Sequence, residues 1–178
     1  VCDVNAPRPN VKEGDIIQFG SFYAISPGTR DFMRSFLEYA SQQQGILYYD
    51  LNFRRSHQHE LEQLLPIIHE NFKWTDIVRG SADDFDIMYG SRDAEFIYKE
   101  HIAPYCPIFI CTHGSEGITV CTPFKTLSFD VPTIQTVSNI GAGDNLNAGF
   151  IYGLVKHNIM KGHLATVSEK KKKKLILC

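Results

Sequence analysis

Short apolar runs of strand length alternate along the chain with segments whose apolar residues recur at helical spacing. Ile16-Ile17-Gln18-Phe19, closed by Gly20, reads as a buried strand. Phe32, Met33, Phe36, Leu37 and Ala40 follow at the 3.6-residue period of a helix, after a start signal at Ser26-Pro27. Ile46-Leu47-Tyr48-Tyr49 is the next strand, with Asp50 at its carboxyl end, and Leu61, Leu64, Leu65 and Ile68 form a second helical stripe despite Pro66, a candidate kink. Asp76-Ile77-Val78-Arg79 is a third strand. Ser81 to Asp84 opens a helix through Tyr89, and another spans about residues 94 to 102. Ile108-Phe109-Ile110-Cys111, Ile118-Thr119-Val120-Cys121 and an extended stretch from 124 to 131 come next, and a helix begins near Ala142 and runs through Phe150, Leu154 and Val155. Strands and helices in this order predict βα units on a mostly parallel sheet with helices on both faces, and the hairpin-like stretch from 118 to 131 predicts an antiparallel edge. Ligands in such sheets bind at the carboxyl ends of the strands. That points to Asp50, Arg79, Thr112 and the loop before residue 142.

Composition narrows the function classes. The 178 residues fit about one domain, and 43% hydrophobic with 21% charged residues is ordinary for a globular protein. The net charge of −2 hides an asymmetry. Residues 169–178 hold five of the 18 Lys and Arg and one of the 20 Asp and Glu, so the rest has 13 basic and 19 acidic residues, a net of −6. An acidic body argues against nucleic-acid binding. No apolar run approaches the ~18 residues of a membrane span, and the N-terminus lacks the pattern of a signal peptide. Cys2, Cys106, Cys111, Cys121 and Cys178 form no CxxC pair, so reduced thiols in a cytoplasmic setting are expected. His57 and His59 sit in a polar stretch and read as surface histidines leading into a helix. The absence of an initiator Met suggests a piece of something longer.

The stretch richest in chemistry is Ile140-Gly141-Ala142-Gly143-Asp144-Asn145-Leu146-Asn147-Ala148-Gly149. Glycines at a helix start leave backbone N–H groups open to an anion. A carboxylate in the first turn is favoured by the helix dipole. Together they suit phosphoryl transfer: the backbone holds the moving phosphate while the carboxylate takes a proton from the attacking hydroxyl. A glycine-rich turn with a helix-start aspartate is the plainer alternative. The stretch is neither GxGxxG nor a Walker loop.

With Ser138 and Asn139 in front of it, this segment resembles the second signature of the ribokinase-like (PfkB) carbohydrate kinases, close to D-T-T-G-A-G-D-x-F-x-A-G. Asp50-Leu51-Asn52-Phe53-Arg54 is similar to the D-x-N-x-R motif of the fructokinase and 2-keto-3-deoxygluconate kinase branches. Ser81-Ala82-Asp83-Asp84 occupies the place of N-x-x-E, and Thr112-His113-Gly114-Ser115-Glu116-Gly117 resembles T-x-G-x-x-G. The resemblance spans roughly residues 12 to 158.

It implies a three-layer α/β/α, Rossmann-like (ribokinase-like) fold, present in part, over residues 1–158. A divergent lysine-rich tail, expected to be disordered, follows over 159–178. It implies ATP-dependent phosphorylation of a sugar or sugar-acid hydroxyl, with ATP and Mg²⁺ as cofactors. Asp144 would be the catalytic base, and Gly141, Ala142 and Gly143 the anion hole. Thr112, Gly114 and Gly117 would line the nucleotide site, and Asn52 and Arg54 would face substrate or phosphate. Asp84 would meet the metal, through water. The partner is then a small sugar or sugar acid, without nucleic acid or membrane, and a homodimer of a longer parent is compatible with the resemblance.

Departures from the pattern carry their own expectations. Ser81 and Asp84 stand for Asn and Glu and also read as an imperfect helix capping box. Ser138 stands for an aspartate associated with monovalent-cation binding. The N-terminal part that holds the sugar and carries the lid is missing, so a fragment of low activity is expected. A non-catalytic remnant, or a nucleoside or vitamin kinase of the same fold, are the alternatives.

Overall fold

The computed structural model describes residues 7–131 and 140–166. Ser138, Asn139, Cys2, Cys178 and the lysine run Lys170–Lys174 lie outside the described residues.

Six strands form one sheet in simple sequential order: β1 (Ile16–Gly20), β2 (Ile46–Asp50), β3 (Ile77–Ser81), β4 (Ile108–Thr112), β5 (Ile118–Thr122) and β6 (Lys125–Phe129). The first four are parallel, and β5 and β6 pair antiparallel at the far edge. Between the parallel strands run α1 (Arg30–Gln42), α2 (Leu61–Trp74), α3 (Ala82–Tyr89) and the short α4 (Ala94–Ile97), and α5 (Ala142–Lys156) follows the hairpin.

The strand order decides where the helices go. Parallel crossovers are right-handed, so steps that always advance one strand in the same direction put their helices on the same face. One core cluster accordingly joins Met33, Leu37, Leu64, Ile68, Phe72, Phe85 and Ile97 of α1–α4 to Leu47, Tyr49, Val78 and Phe109 of the sheet. Strand side chains alternate, so Ile46, Tyr48, Ile77, Ile108 and Ile110 point the other way, where Phe150 and Leu154 of α5 cover them. Burying each of those two side chains contributes about 1.5–3 kcal/mol. Packing continues past residue 158, because Ile159 and Leu164 join this second cluster and Lys161 pairs with Asp76 at 3.1 Å.

Three local outcomes differ from the sequence expectations. The Ser26-Pro27 signal opens a 3₁₀ turn, Pro27–Thr29, with no side-chain cap from Ser26, and the α-helix begins only at Arg30. The helix expected over 94–102 is α-helical for four residues and then widens into a π turn, Tyr98–Ile102. The box at Ser81 is complete: the Ser81 hydroxyl accepts from Asp84 N while Asp84 Oδ2 accepts from Ser81 N at 2.7 Å. Pro66 sits inside a continuous α2.

Cys106, Cys111 and Cys121 are free and buried, and burial pushes the Cys121 thiol up to about 11. Among the described residues no helix is long and apolar enough to cross a membrane.

Away from the strand ends, His69 Nε2 lies 2.9 Å from the Tyr89 hydroxyl, and the His101 ring stacks on Tyr89 at 3.7 Å. Burial holds both imidazoles below the ordinary histidine pKa. The other imidazole and Lys73 reinforce this at His69, while Glu100 opposes it at His101. The unfolded chain therefore binds protons more readily than the folded one. Stability from this pair is complete above about pH 6.5 and is lost as pH falls through the lowered folded values. Thermal melts between pH 7 and 5 are expected to show a falling Tm, with a shallower fall in a His69→Gln, His101→Gln double variant. Parallel profiles would remove the pair from that role.

Candidate active site

The apolar positions that face α5 continue, two residues on, into polar ones. Tyr48 is followed on its face by Asp50, Ile77 by Arg79, and Ile110 by Thr112. The carboxyl end of the sheet therefore carries a polar row under the first turn of α5. Arg79 Nη1 donates to Asp50 Oδ1 at 2.9 Å, and Nη2 donates to Thr112 Oγ1 at 3.2 Å. The second Asp50 oxygen accepts from Asn147 Nδ2 at 2.8 Å, and Asn147 Oδ1 accepts from the Tyr48 hydroxyl at 2.8 Å. The Tyr48 hydroxyl donates to the Asn147 amide oxygen, which leaves the amide nitrogen to face Asp50. Three strands and α5 are thus tied by one buried network. Removing one partner of its ion pair would leave a buried charge, at a cost of about 3–5 kcal/mol.

Gly141 caps α5 in the left-handed region, φ 79°, where a side chain would be strained. The helix's first bond runs from Asn145 N to Gly141 O at 2.9 Å. The N–H groups of residues 142–144 therefore have no intrahelical partner, which is the arrangement that attracts an anion. Asp144 is exposed in this first turn, next to those groups.

Gly143 has a reason of its own. A Cβ there would lie 3.0 and 3.1 Å from Arg79 Nη1 and Nη2, a guanidinium already fixed on Asp50. Gly143→Val is expected to displace Arg79 and destabilise the fold by about 1–3 kcal/mol through overpacking. A thermal melt equal to wild type would show that the guanidinium yields freely.

The other sequence-predicted residues fall around this centre. Thr112 is part of the network, whereas Gly114 and Gly117, at φ 60° and 116°, shape the turn from β4 into β5, closed by His113 N donating to Gly117 O. Asn52, at φ 41°, and Arg54 line a separate small cleft beyond β1 and β2 together with Ser21, Phe22, Tyr49 and His57. One wall of this cleft is the Phe22–His57 stack, with centroids 4.4 Å apart. Asp84 is buried with its Oδ2 in the α3 cap. Burial raises its pKa, opposed by the Ser81 hydrogen bonds and the Arg79 charge. No cluster of three or more His, Cys, Asp or Glu that could hold a metal occurs among the described residues.

Asp50 and Arg79 are legible from their place at strand ends. Asn147 was missed, although a polar residue on the face of α5 that otherwise presents Phe150 and Leu154 to the core is a signal in itself.

Comparison with known proteins gives this geometry a family. The model of the pfkB family carbohydrate kinases matches residues 3–168. The chain belongs to the pfkB family. The 5-dehydro-2-deoxygluconokinase of Geobacillus thermodenitrificans (strain NG80-2) is 29% identical over 143 residues, covering 76% of this chain and 42% of that protein. The 5-dehydro-2-deoxygluconokinase of Bacillus thuringiensis (strain Al Hakam) is 25% identical over 171 residues, covering 88% and 50%. Among solved structures, aminoimidazole riboside kinase from Salmonella enterica, complexed with aminoimidazole riboside and an ATP analog, superposes with a TM-score of 0.81 at 18% identity, over 94% of this chain and 54% of that one. The fructokinase from Vibrio cholerae O395 in its fructose, ADP and calcium ion bound form gives 0.75 at 19%, over 95% and 52%. These neighbours share the ribokinase-like fold. The chain spans about half the length of the curated relatives it matches.

Proposed function

We propose that this chain is the nucleotide-binding and catalytic half of an ATP-dependent sugar or sugar-acid kinase. The observation that carries the reading is the start of α5, where an exposed carboxylate, Asp144, stands beside backbone N–H groups that have no intrahelical partner.

In the reaction, Asp144 takes the proton of the sugar hydroxyl as its oxygen attacks the γ-phosphorus. The bond to the bridging oxygen breaks, and its electron pair leaves with ADP. The N–H groups of the Gly141–Gly143 turn hold the phosphoryl oxygens as charge redistributes. Thr112, Gly114 and Gly117 border the nucleotide. Asn52 and Arg54 face the substrate, Arg54 with a fork able to grip a carboxylate or phosphate. Relatives named for a keto sugar acid favour an acidic sugar. The D-x-N-x-R stretch weighs against a nucleoside.

Mg²⁺ is usually held by one or two carboxylates together with substrate phosphates. The residues present fit that limited role: Asp84 would meet the ion through water, since its Oδ2 is engaged in the cap. The ion would neutralise phosphate charge. The acidic body and the three free, buried cysteines support a cytoplasmic protein that acts on a small molecule. Calorimetric titration with Mg²⁺-ATP is expected to show binding. A folded chain that binds no nucleotide would overturn the reading.

The second reading, a chain that binds nucleotide without catalysis of its own, draws on its covering 42% and 50% of the two curated relatives. It predicts nucleotide binding without transfer.

A further inference from the structure

Arg79 is 8% exposed, and the mechanism above gives it no part. Its Nη1 is placed on Asp50 and its Nη2 on Thr112, while Nε is buried without a partner among the described residues. The same guanidinium fills the space where Gly143 would carry a side chain. Asp50, its ion-pair partner, is shared with Asn147. Asp84, the other carboxyl that feels its charge, is drawn into the α3 cap. The positive end of a buried ion pair thus lies against the turn whose N–H groups have no intrahelical partner.

We propose that Arg79 is the cationic floor of the terminal-phosphate site, a positioning residue that makes the site prefer a nucleoside triphosphate to a diphosphate. The inference rests on the kinase reading. Backbone N–H groups at a helix start attract any anion. A fixed guanidinium beneath them adds an attraction that grows with the charge on the phosphate above it. It acts through little water, because the group is buried and a guanidinium is weakly hydrated. The network on Asp50, Thr112 and Asn147 holds the charge in place, and the glycine at 143 lets the helix approach it.

A purely structural Arg79 would change Tm and leave the ratio of ATP to ADP affinity alone. The test is calorimetric titration of this chain with ATP and with ADP, in wild type, Arg79→Lys, Arg79→Gln and the double variant Asp50→Asn, Arg79→Gln. The double variant leaves no unpaired charge in the interior. Wild type is expected to favour ATP by about tenfold, the scale of one charge-assisted hydrogen bond. Arg79→Lys keeps the charge and is expected to hold the preference within about threefold. Whichever Gln variant melts cooperatively is expected to bind ATP and ADP alike. A preference retained in that variant, or absent from wild type, overturns the proposal while leaving the kinase reading intact. Wild type binding neither nucleotide overturns the kinase reading itself, and this one with it.

Discussion

Asp144→Asn, made in a full-length parent of this chain, is expected to lower kcat by about 10²-fold or more and to leave ATP affinity within about twofold. The substitution is nearly isosteric but removes the proton acceptor. General-base transfer contributes typically about 10²–10⁴-fold, and here no second acceptor stands in the first turn of α5. The fold has little stake in the side chain, because Asp144 is exposed and its helix is anchored one turn on by Asn147 and Phe150. The carboxylate also sits at the favourable end of the helix dipole, worth about 0.3–1 kcal/mol at an exposed site, so a small drop in Tm is expected as well. Steady-state assays with calorimetry on the same preparation separate the effects. Turnover within about twofold of wild type would take Asp144 out of the reaction.

The 178-residue chain by itself is expected to release ADP in the presence of a sugar far below the ~10 s⁻¹ ordinary for enzymes. A base acts only on a hydroxyl held within about 3 Å of it. Holding two reactants in such geometry can supply roughly 7–11 kcal/mol of a bimolecular barrier. The chain covers 42% and 50% of the two curated relatives named above, and the cleft bearing Asn52 and Arg54 is small. Asp144 is exposed, and no element among the described residues closes over it to keep water out. Among the described residues the outer edge of β1 is also unpaired in the sheet, an invitation to aggregation. The assay is coupled ADP release against fructose, ribose, 2-keto-3-deoxygluconate and adenosine, with light scattering to follow association. Turnover near ~10 s⁻¹ on any of them would show that this half builds a complete site.

The amino-acid sequence by itself determined the alternation of strand and helix, the antiparallel edge and the start of α5. Each of these is a local pattern: a period of two or of 3.6, a turn, a pair of glycines before an apolar stripe. It also marked Asp50, Arg79 and Thr112, because a polar residue that ends an apolar strand lies at the open rim of the sheet. Tertiary structure alone decided what those residues touch. Asp50 and Asn147 are 97 positions apart, and they meet only because α5 crosses the face that the right-handed crossovers leave bare. The same crossing sets Gly143 against Arg79, so a glycine that reads as room for a phosphate is also room for a guanidinium. The widening of the helix after Ile97 belongs here too. Periodicity assigns a residue to a face of its own element. The partner on that face is set by how distant elements pack, and no local signal encodes it.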